Sequence, residues 1–284
     1  MKKIYYLIPF IFGTAVVLSA CGTSKSVLTE AKEALEEAKG IEMETFLTQE
    51  VKEKESLPQM NGYNQNLHNQ NLYNTNFNFF NHDFEKKIHV QEERDLKTQE
   101  MYRVLRFDLS RGRSEADHEQ YVMADGSTYY DYGEGWELIE HTIYQNRDYL
   151  YHIDMAYINV DVILDQMLEM THPWLDLLGG VETKEEDGKY VVILQSIHEK
   201  VDDPKQLFSQ DLELGTSTEV LVYDIEVRIN AETSYVEEIM ITAKEKITQG
   251  SNVYEQKLAI NSKVAIVDDV NVAVPQEVLD EVGN

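Results

Sequence analysis

Residues 219–230 read EVLVYDIEVRIN, and this stretch decides the fold class. Leu221, Tyr223, Ile225, Val227 and Ile229 fall at every second position, while Val220, Val222, Asp224, Glu226 and Arg228 occupy the positions between. Side chains alternate across a strand, so the pattern predicts a half-buried strand with one clearly apolar face. It is the first of three long strands, Glu219–Asn230, Ser234–Thr248 and Asn252–Val264. Turn signals at Asn230-Ala231-Glu232-Thr233 and Gln249-Gly250-Ser251 join them into an antiparallel meander.

Upstream the same grammar recurs. Val181–Glu186 and Lys189–Gln195 flank Asp187-Gly188, and His118–Ala124 and Ser127–Tyr132 flank Asp125-Gly126. Asp-Gly pairs suit a tight hairpin turn. Met101–Leu109 alternates, as does the segment Ile41–Leu47, where Ile41, Met43, Thr45 and Leu47 oppose Glu42, Glu44 and Phe46. Three helices are expected. Val27, Ala31, Ala34, Leu35 and Ala38 recur at helical spacing over Val27–Lys39, with Ser26 to cap the start and Gly40 to close the end. Asn159–Met170 and Pro204–Leu212 are the other two. Pro58, Pro173, Pro204 and Pro275 all sit where an element should begin or stop.

Asn61 to Asn81 stands apart, with nine asparagines and no Lys, Arg, Asp or Glu. It repeats NQNLH at 64–68 and NQNLY at 69–73, a period of five that fits neither helix nor strand. It reads as an inserted, solvated loop. The other reading is a recognition arm anchored by Leu67, Tyr73, Phe77, Phe79 and Phe80.

The amino end carries targeting chemistry. Lys2 and Lys3 precede the apolar run Ile4–Val17, which is too short to span a bilayer and reads as a signal peptide over residues 1–20. It ends in Leu18-Ser19-Ala20-Cys21, and Cys21 is the only cysteine among 284 residues. The tetrapeptide resembles the lipobox of bacterial lipoproteins. That resemblance implies a diacylglycerol thioether on Cys21 and cleavage between Ala20 and Cys21. An exported chain with one thiol makes no internal disulfide, and acylation removes the free thiol. A single acyl chain holds a protein only marginally, so firm anchoring takes two or three. Residues 21–26 form a short tether, and 27–284 a single domain.

Charge narrows the partners. The chain has 25 Lys+Arg and 52 Asp+Glu, a net charge of −27. Residues 1–20 hold two lysines and no acid, so the processed chain stands at −29. Such a surface repels nucleic acid, which is excluded as a partner. The charge either attracts cations and basic peptides or simply keeps the protein soluble in an acidic envelope; the even spread of the acids favours the latter.

Enzyme signatures are absent from the sequence. There is no GxSxG elbow, HExxH helix, phosphate-binding glycine loop or dinucleotide fingerprint. The eight histidines (His68, His82, His89, His118, His141, His152, His172 and His198) are scattered without metal-ligand spacing, and Asp202-Asp203 and Asp268-Asp269 lack the spacing of a calcium loop. No catalytic residue, metal ligand or cofactor is expected. The aromatic run Tyr121, Tyr129, Tyr130, Tyr132 and Trp136 is the one suggestive cluster. It either pairs across strands as ordinary sheet core, or lines an apolar cavity with Tyr121, Tyr129 and Trp136.

The order of these elements carries a resemblance. A lipobox and an amphipathic helix precede EQYVMADGSTYYDYGEGW at 119–136; DGKYVVIL at 187–194, the meander and VNVAVPQEV at 270–278 follow. This resembles a family of Gram-positive bacterial lipoproteins related to the LolA/LppX-like lipid carriers, over most of residues 27–282. The resemblance implies an α+β fold: a strongly curved antiparallel β-sheet, a half-barrel, with helices packed on the concave face over an apolar cavity. Asn61–Asn81, as an insertion, and His141–Leu178, as a long middle, depart from it. The functional expectation is a lipid-anchored protein on the extracellular face of the cell membrane that binds or carries a hydrophobic ligand without catalysis. The alternative is a protein-interaction, adhesion or chaperone-like surface lipoprotein using the Asn-rich loop. A transporter's solute-binding subunit would need repeated strand–helix–strand units, which the sequence lacks.

Overall fold

Alternation of period two dominates the described part of the chain, and the backbone follows it into strands. The structure is a computed structural model that describes residues 23–56, 84–109, 117–131, 133, 135–139, 158–171, 180–195, 216–249, 252–270 and 272–283. Ala20, Cys21, the Asn-rich segment 61–81 and the helix expected at 204–212 lie outside these residues.

Helix α1 covers residues 23–37. The strands are β1 (Gly40–Ser56), β2 (Phe84–Asp95), β3 (Met101–Leu109), β4 (Asp117–Val122), β5 (Thr128–Asp131), β6 (Trp136–Ile139), β7 (Val181–Glu186), β8 (Lys189–Gln195), β9 (Thr216–Asn230), β10 (Val236–Gln249) and β11 (Asn252–Val267). Helix α2 (Val160–Met170) lies between β6 and β7, and α3 (Gln276–Val282) ends the chain.

All eleven strands join one sheet in the order β6-β5-β4-β3-β2-β1-β11-β10-β9-β8-β7, every neighbouring pair antiparallel. The first and last strands, β1 and β11, meet in the middle of the sheet. From that seam the strands run outward to β6 on one side and β7 on the other, so the sheet is open. Gly40, where β1 begins, is dictated by packing. A Cβ there would lie 2.1 Å from Val270 Cγ2 and 2.8 Å from the Arg94 carbonyl oxygen, so a side chain is excluded.

Register lines up one apolar face. Val192, Val227, Ile239, Ser262, Thr45, Val90 and Leu105 form one row across seven strands. Leu194, Ile225, Ile241, Ile260, Leu47 and Ile88 form the next. These residues are buried together with Val27, Leu28, Ala31 and Leu35 of α1 and with Val160, Ile163, Leu164 and Met167 of α2. We call this the roofed face and its opposite the open face.

The two helices lie side by side, Lys32 of α1 bridging Asp161 and Asp165 of α2. Asn159 caps α2, its side-chain oxygen accepting from the amides of Asp161 and Val162 at 3.1 and 3.3 Å. At the far end of α1, the buried Ser24 hydroxyl donates to the Val181 carbonyl at 3.2 Å and accepts from Thr183 at 2.7 Å, tying the helix to β7. No helix among the described residues is long and apolar enough to cross a membrane.

Several boundaries differ from the sequence reading. Helix α1 starts at residue 23, inside the stretch read as a tether, because Ser24 is buried against β7 rather than solvated. Ser26 therefore lies within the helix, its hydroxyl donating to Glu30 at 2.9 Å, and does not cap it. Gly40 opens β1 rather than closing α1. Asp187-Gly188 makes a two-residue hairpin with positive φ at both positions (51° and 76°). Asp125-Gly126 instead sits within a five-residue loop, Met123–Ser127, closed by the Met123 amide donating to the Ser127 carbonyl at 2.9 Å. Strand β2, strand β6 and helix α3 have no counterpart among the predicted elements.

Candidate functional site

Two surfaces of the sheet carry more chemistry than a plain core requires. The first lies on the roofed face. Toward the Val51 end of β1, the apolar rows are crossed by a buried polar stripe: Lys86 on β2, Gln49 on β1, Gln256 on β11 and Glu245 on β10. Lys86 pairs in register with Gln49, and Gln256 with Glu245. The Gln49 amide donates to Gln256 at 3.0 Å, and the Gln256 amide donates to Glu245 at 3.2 Å. Val51, Ile88, Tyr223, Ala243, Tyr254 and Leu258 surround them, all buried.

Burial fixes the ionisation of this stripe. The Lys86 amine, 1% exposed, is pushed down to about 7 by loss of hydration. The Glu245 carboxyl is pushed up for the same reason, and so is the Tyr223 phenol. Taking a charge out of water penalises the charged form whatever its sign. The stripe therefore leans toward neutral, hydrogen-bonding groups within an apolar surface. Two amides, an amine and a carboxyl can hold the polar end of an amphiphile while the neighbouring rows take its chain.

Closer to the helices, the roofed face of β2 and β3 carries a buried ionic cluster. Glu92 accepts from Arg94 and, at 2.6 Å, from Arg103 Nε. Arg94 also donates to the Ile158 carbonyl at 3.5 Å, linking the cluster to the residues leading into α2. Beyond it lie buried Gln120 and Tyr130, the latter's hydroxyl 3.1 Å from His118 Nδ1.

The second surface is the open face of β11, β1, β2, β3 and β4. Here Ala265, Glu42, Glu93, Tyr102, Tyr121, Tyr129 and Leu138 form a single row across the strands. Lys263, Glu44, Gln91, Val104, Glu119, Asp131 and Trp136 form the next. Tyr121 packs on Tyr102 with centroids 4.6 Å apart and on Trp136 at 5.5 Å. Phe46 stacks on His89 at 4.4 Å and stays 45% exposed. A groove of about 480 Å³ opens between these rows, lined by Glu42, Glu44, Gln91, Glu93, Tyr102 and Val104 with Lys263 and Ala265.

Tyr121, Tyr129 and Trp136, read from the sequence as either cross-strand core or the lining of an apolar cavity, share one face of the sheet. It is the open face, beside a groove whose aromatic wall is Tyr102. Tyr130 of the same run points to the roofed face, as alternation requires. The Tyr102 hydroxyl donates to Glu119 at 2.9 Å, and burial together with that bond pushes its ionisation above the usual tyrosine range. Tyr121 is raised too, first by burial and then by Glu119, Glu277 and Glu93. The α3 side chain Glu281 accepts from the Trp136 amide at 3.1 Å, fastening the last helix to β6.

Lys86, Gln49, Gln256, Glu245 and Tyr102 were not singled out from the sequence. For Lys86 and Gln49 the signal was the alternation of residues 84–95 and 49–51, masked by polar residues at inward positions; Glu245, Gln256 and Tyr102 lie on strands that were read from the sequence, without their partners across the sheet. Among the described residues no three His, Cys, Asp or Glu side chains are placed to hold a metal ion.

No protein-family model matches the chain. No curated protein sequence matches it either. Among solved structures, LprF from Mycobacterium bovis aligns with a TM-score of 0.38 and 10% identity, covering 89% of this chain and 97% of LprF.

Proposed function

We propose that this chain is a membrane-anchored, non-enzymatic protein that binds a hydrophobic or amphiphilic molecule along the roofed face of its sheet. The supporting observation is the lining of that face. One apolar row runs without a break from Leu194 on β8 to Ile88 on β2, the next is interrupted only by the buried Ser262–Thr45 pair, and a buried stripe of Gln49, Lys86, Glu245 and Gln256 adjoins them. In this reading the open, twisted sheet coils into a half-barrel, as broad sheets tend to do. Helices α1 and α2 then lie on the concave side, the ligand's chain along the apolar rows and its polar end at the stripe. Cys21 carries the acyl chains and holds the domain at the outer surface of the membrane.

Stripping the intact chain of lipid and incubating it with vesicles of bacterial membrane lipid tests the reading. Mass spectrometry of the re-isolated protein should find retained lipid near one molecule per chain. A double change, Gln49→Leu with Gln256→Leu, should cut retention several-fold, because the polar end loses its partners. A chain that retains no lipid under any condition would sink the proposal. Cys21→Ser tests the anchor separately: the variant should leave the membrane fraction or keep its first twenty residues, and a cleaved, membrane-bound variant would refute lipidation there.

The protein-interaction alternative drew on residues 61–81, which lie outside the described residues.

A further inference from the structure

We propose that the ligand of the roofed face is polar at both ends, and that Gln120 on β4 receives a hydroxyl at the end away from the polar stripe. The inference rests on the roofed-face reading above and names the class of molecule that face would take, a long-chain amphiphile with a hydrogen-bond donor at its far end. Gln120 is 4% exposed, yet its Oε1 has no hydrogen-bond partner among the described residues. A buried acceptor left unmatched costs stability, and in folded proteins such groups are nearly always answered. The neighbours of Gln120 do not answer it. It pairs in register with Arg103 on one side and Tyr130 on the other. Arg103 directs its Nε to Glu92 at 2.6 Å, and the Tyr130 hydroxyl lies 3.1 Å from His118 Nδ1. Tyr130 belongs to the same buried core as Ile163, Leu164 and Met167 of α2. The unmatched oxygen therefore borders the surface along which the ligand's chain lies.

Distance separates this oxygen from the stripe. Gln120 shares its row with Arg103 and Glu92. On β2 the roofed side chains run Lys86, Ile88, Val90, Glu92, so the stripe and the Gln120 row are roughly 20 Å apart at about 3.3 Å per residue. One small head group cannot reach both. A chain that spans them lays its methylenes on Ile88, Val90 and Leu105, all buried, and meets a polar group at each end. The nature of the far group follows from the atom it meets. Gln120 Oε1 only accepts, so a hydroxyl, which donates, is matched there. An ionised carboxylate or phosphate only accepts and is not matched. An ammonium, the other strong donor, would stand beside the Arg103 guanidinium.

Hexadecane-1,16-diol and hexadecan-1-ol differ only in the second hydroxyl, and both are uncharged. Each is offered in vesicles to the intact, lipid-stripped chain, and the amount retained on the re-isolated protein is measured by mass spectrometry. The diol should be retained several-fold better than the alcohol. Gln120→Leu should lower diol retention about five- to tenfold, the worth of one hydrogen bond, and leave alcohol retention within about twofold. Its melting temperature should be unchanged or raised, because the substitution removes a buried acceptor that nothing in the protein answers. Gln120→Met, closer in shape, should give the same pattern and covers the case in which the leucine variant does not fold. Equal retention of the two probes by the wild type, or a diol preference that survives both substitutions, would overturn the inference while leaving the roofed-face reading in place. So would a marked fall in melting temperature in both variants with the preference intact, since the amide would then serve the fold alone. A wild-type chain that retains neither probe nor any membrane lipid removes the roofed-face reading, and this inference with it.

Discussion

Strands β2 and β9 are both internal and lie on opposite flanks of the β1–β11 seam, β2 next to β1 and β9 two places beyond β11, and both turn alternate residues to the roofed face. The side chains they turn inward differ in kind. Strand β9 presents Tyr223, Ile225, Val227 and Ile229; β2 presents Lys86, Ile88, Val90, Glu92 and Arg94. Burial is nonetheless the same, at most 4% exposure on either strand. Position in the sheet, not hydropathy, decides what is buried here. On β9 the burial itself stabilises, at roughly 1.5–3 kcal/mol for each large apolar side chain. On β2 the same burial is tolerated only because the charges are answered by partners: Glu92 by two arginines, Arg94 further by the Ile158 carbonyl.

Breaking that compensation should give the largest effect. Glu92→Ala leaves two guanidinium groups buried without their carboxylate, and should lower the unfolding free energy by about 3–5 kcal/mol in urea titration. Replacing the whole cluster, Glu92→Leu with Arg94→Met and Arg103→Met, should restore most of that loss by making β2 resemble β9. A single Glu92→Ala costing under about 1 kcal/mol would mean that the two flanks are held by the same forces after all.

The contrast also explains what was legible in the sequence. Strands β7 and β8 could be read to the residue from the hairpin turn between them, and β9, β10 and β11 to within three residues, because inward positions such as Ile225 and Val227 are apolar while their neighbours are not. Strand β2 hid because Lys86, Glu92 and Arg94 place charge at inward positions, so its alternation looks like an ordinary solvated segment. Strand β6 spans only Trp136–Ile139, too short for periodicity to register. For the sites, the aromatic strands around Tyr121 and Trp136 were visible as composition. The groove was not, since it draws on Glu42, Glu93, Tyr102 and Lys263 from four strands. Alternation tells which face a residue takes but not which strands become neighbours. That pairing, β1 against β11 above all, was set by chain-distant packing.

The smaller way to sharpen the comparison uses pH, and Lys86 is the probe. Its amine is pushed down to about 7 in the folded chain by burial, against 10.5 for an exposed lysine. Between those values the unfolded chain holds a proton that the folded chain has released. Stability must therefore rise with pH across that window, with a slope approaching about 1.4 kcal/mol per pH unit where the difference is nearly one proton. Glu245 acts in the opposite sense. Its raised carboxyl makes stability fall as pH climbs through the acid range above 4.5. Together they place the weakest region of the polar stripe between pH 4.5 and about 7, where the Lys86 charge costs its full amount and the Glu245 cost builds as pH rises. Lys86→Met should stabilise the protein at pH 7 and flatten the rise between pH 7 and 10, measured as the difference between the two chains' urea midpoints at each pH. Strand β9 offers no such rise, because Ile225, Val227 and Ile229 do not titrate, and the Tyr223 phenol, raised by burial, only lowers stability as pH approaches the 10.0 of an exposed tyrosine. If the difference between wild type and Lys86→Met is independent of pH, the amine is charged in the folded state. The stripe would then be an ion-paired structure of the Glu92 kind rather than a lining able to receive the polar end of a ligand.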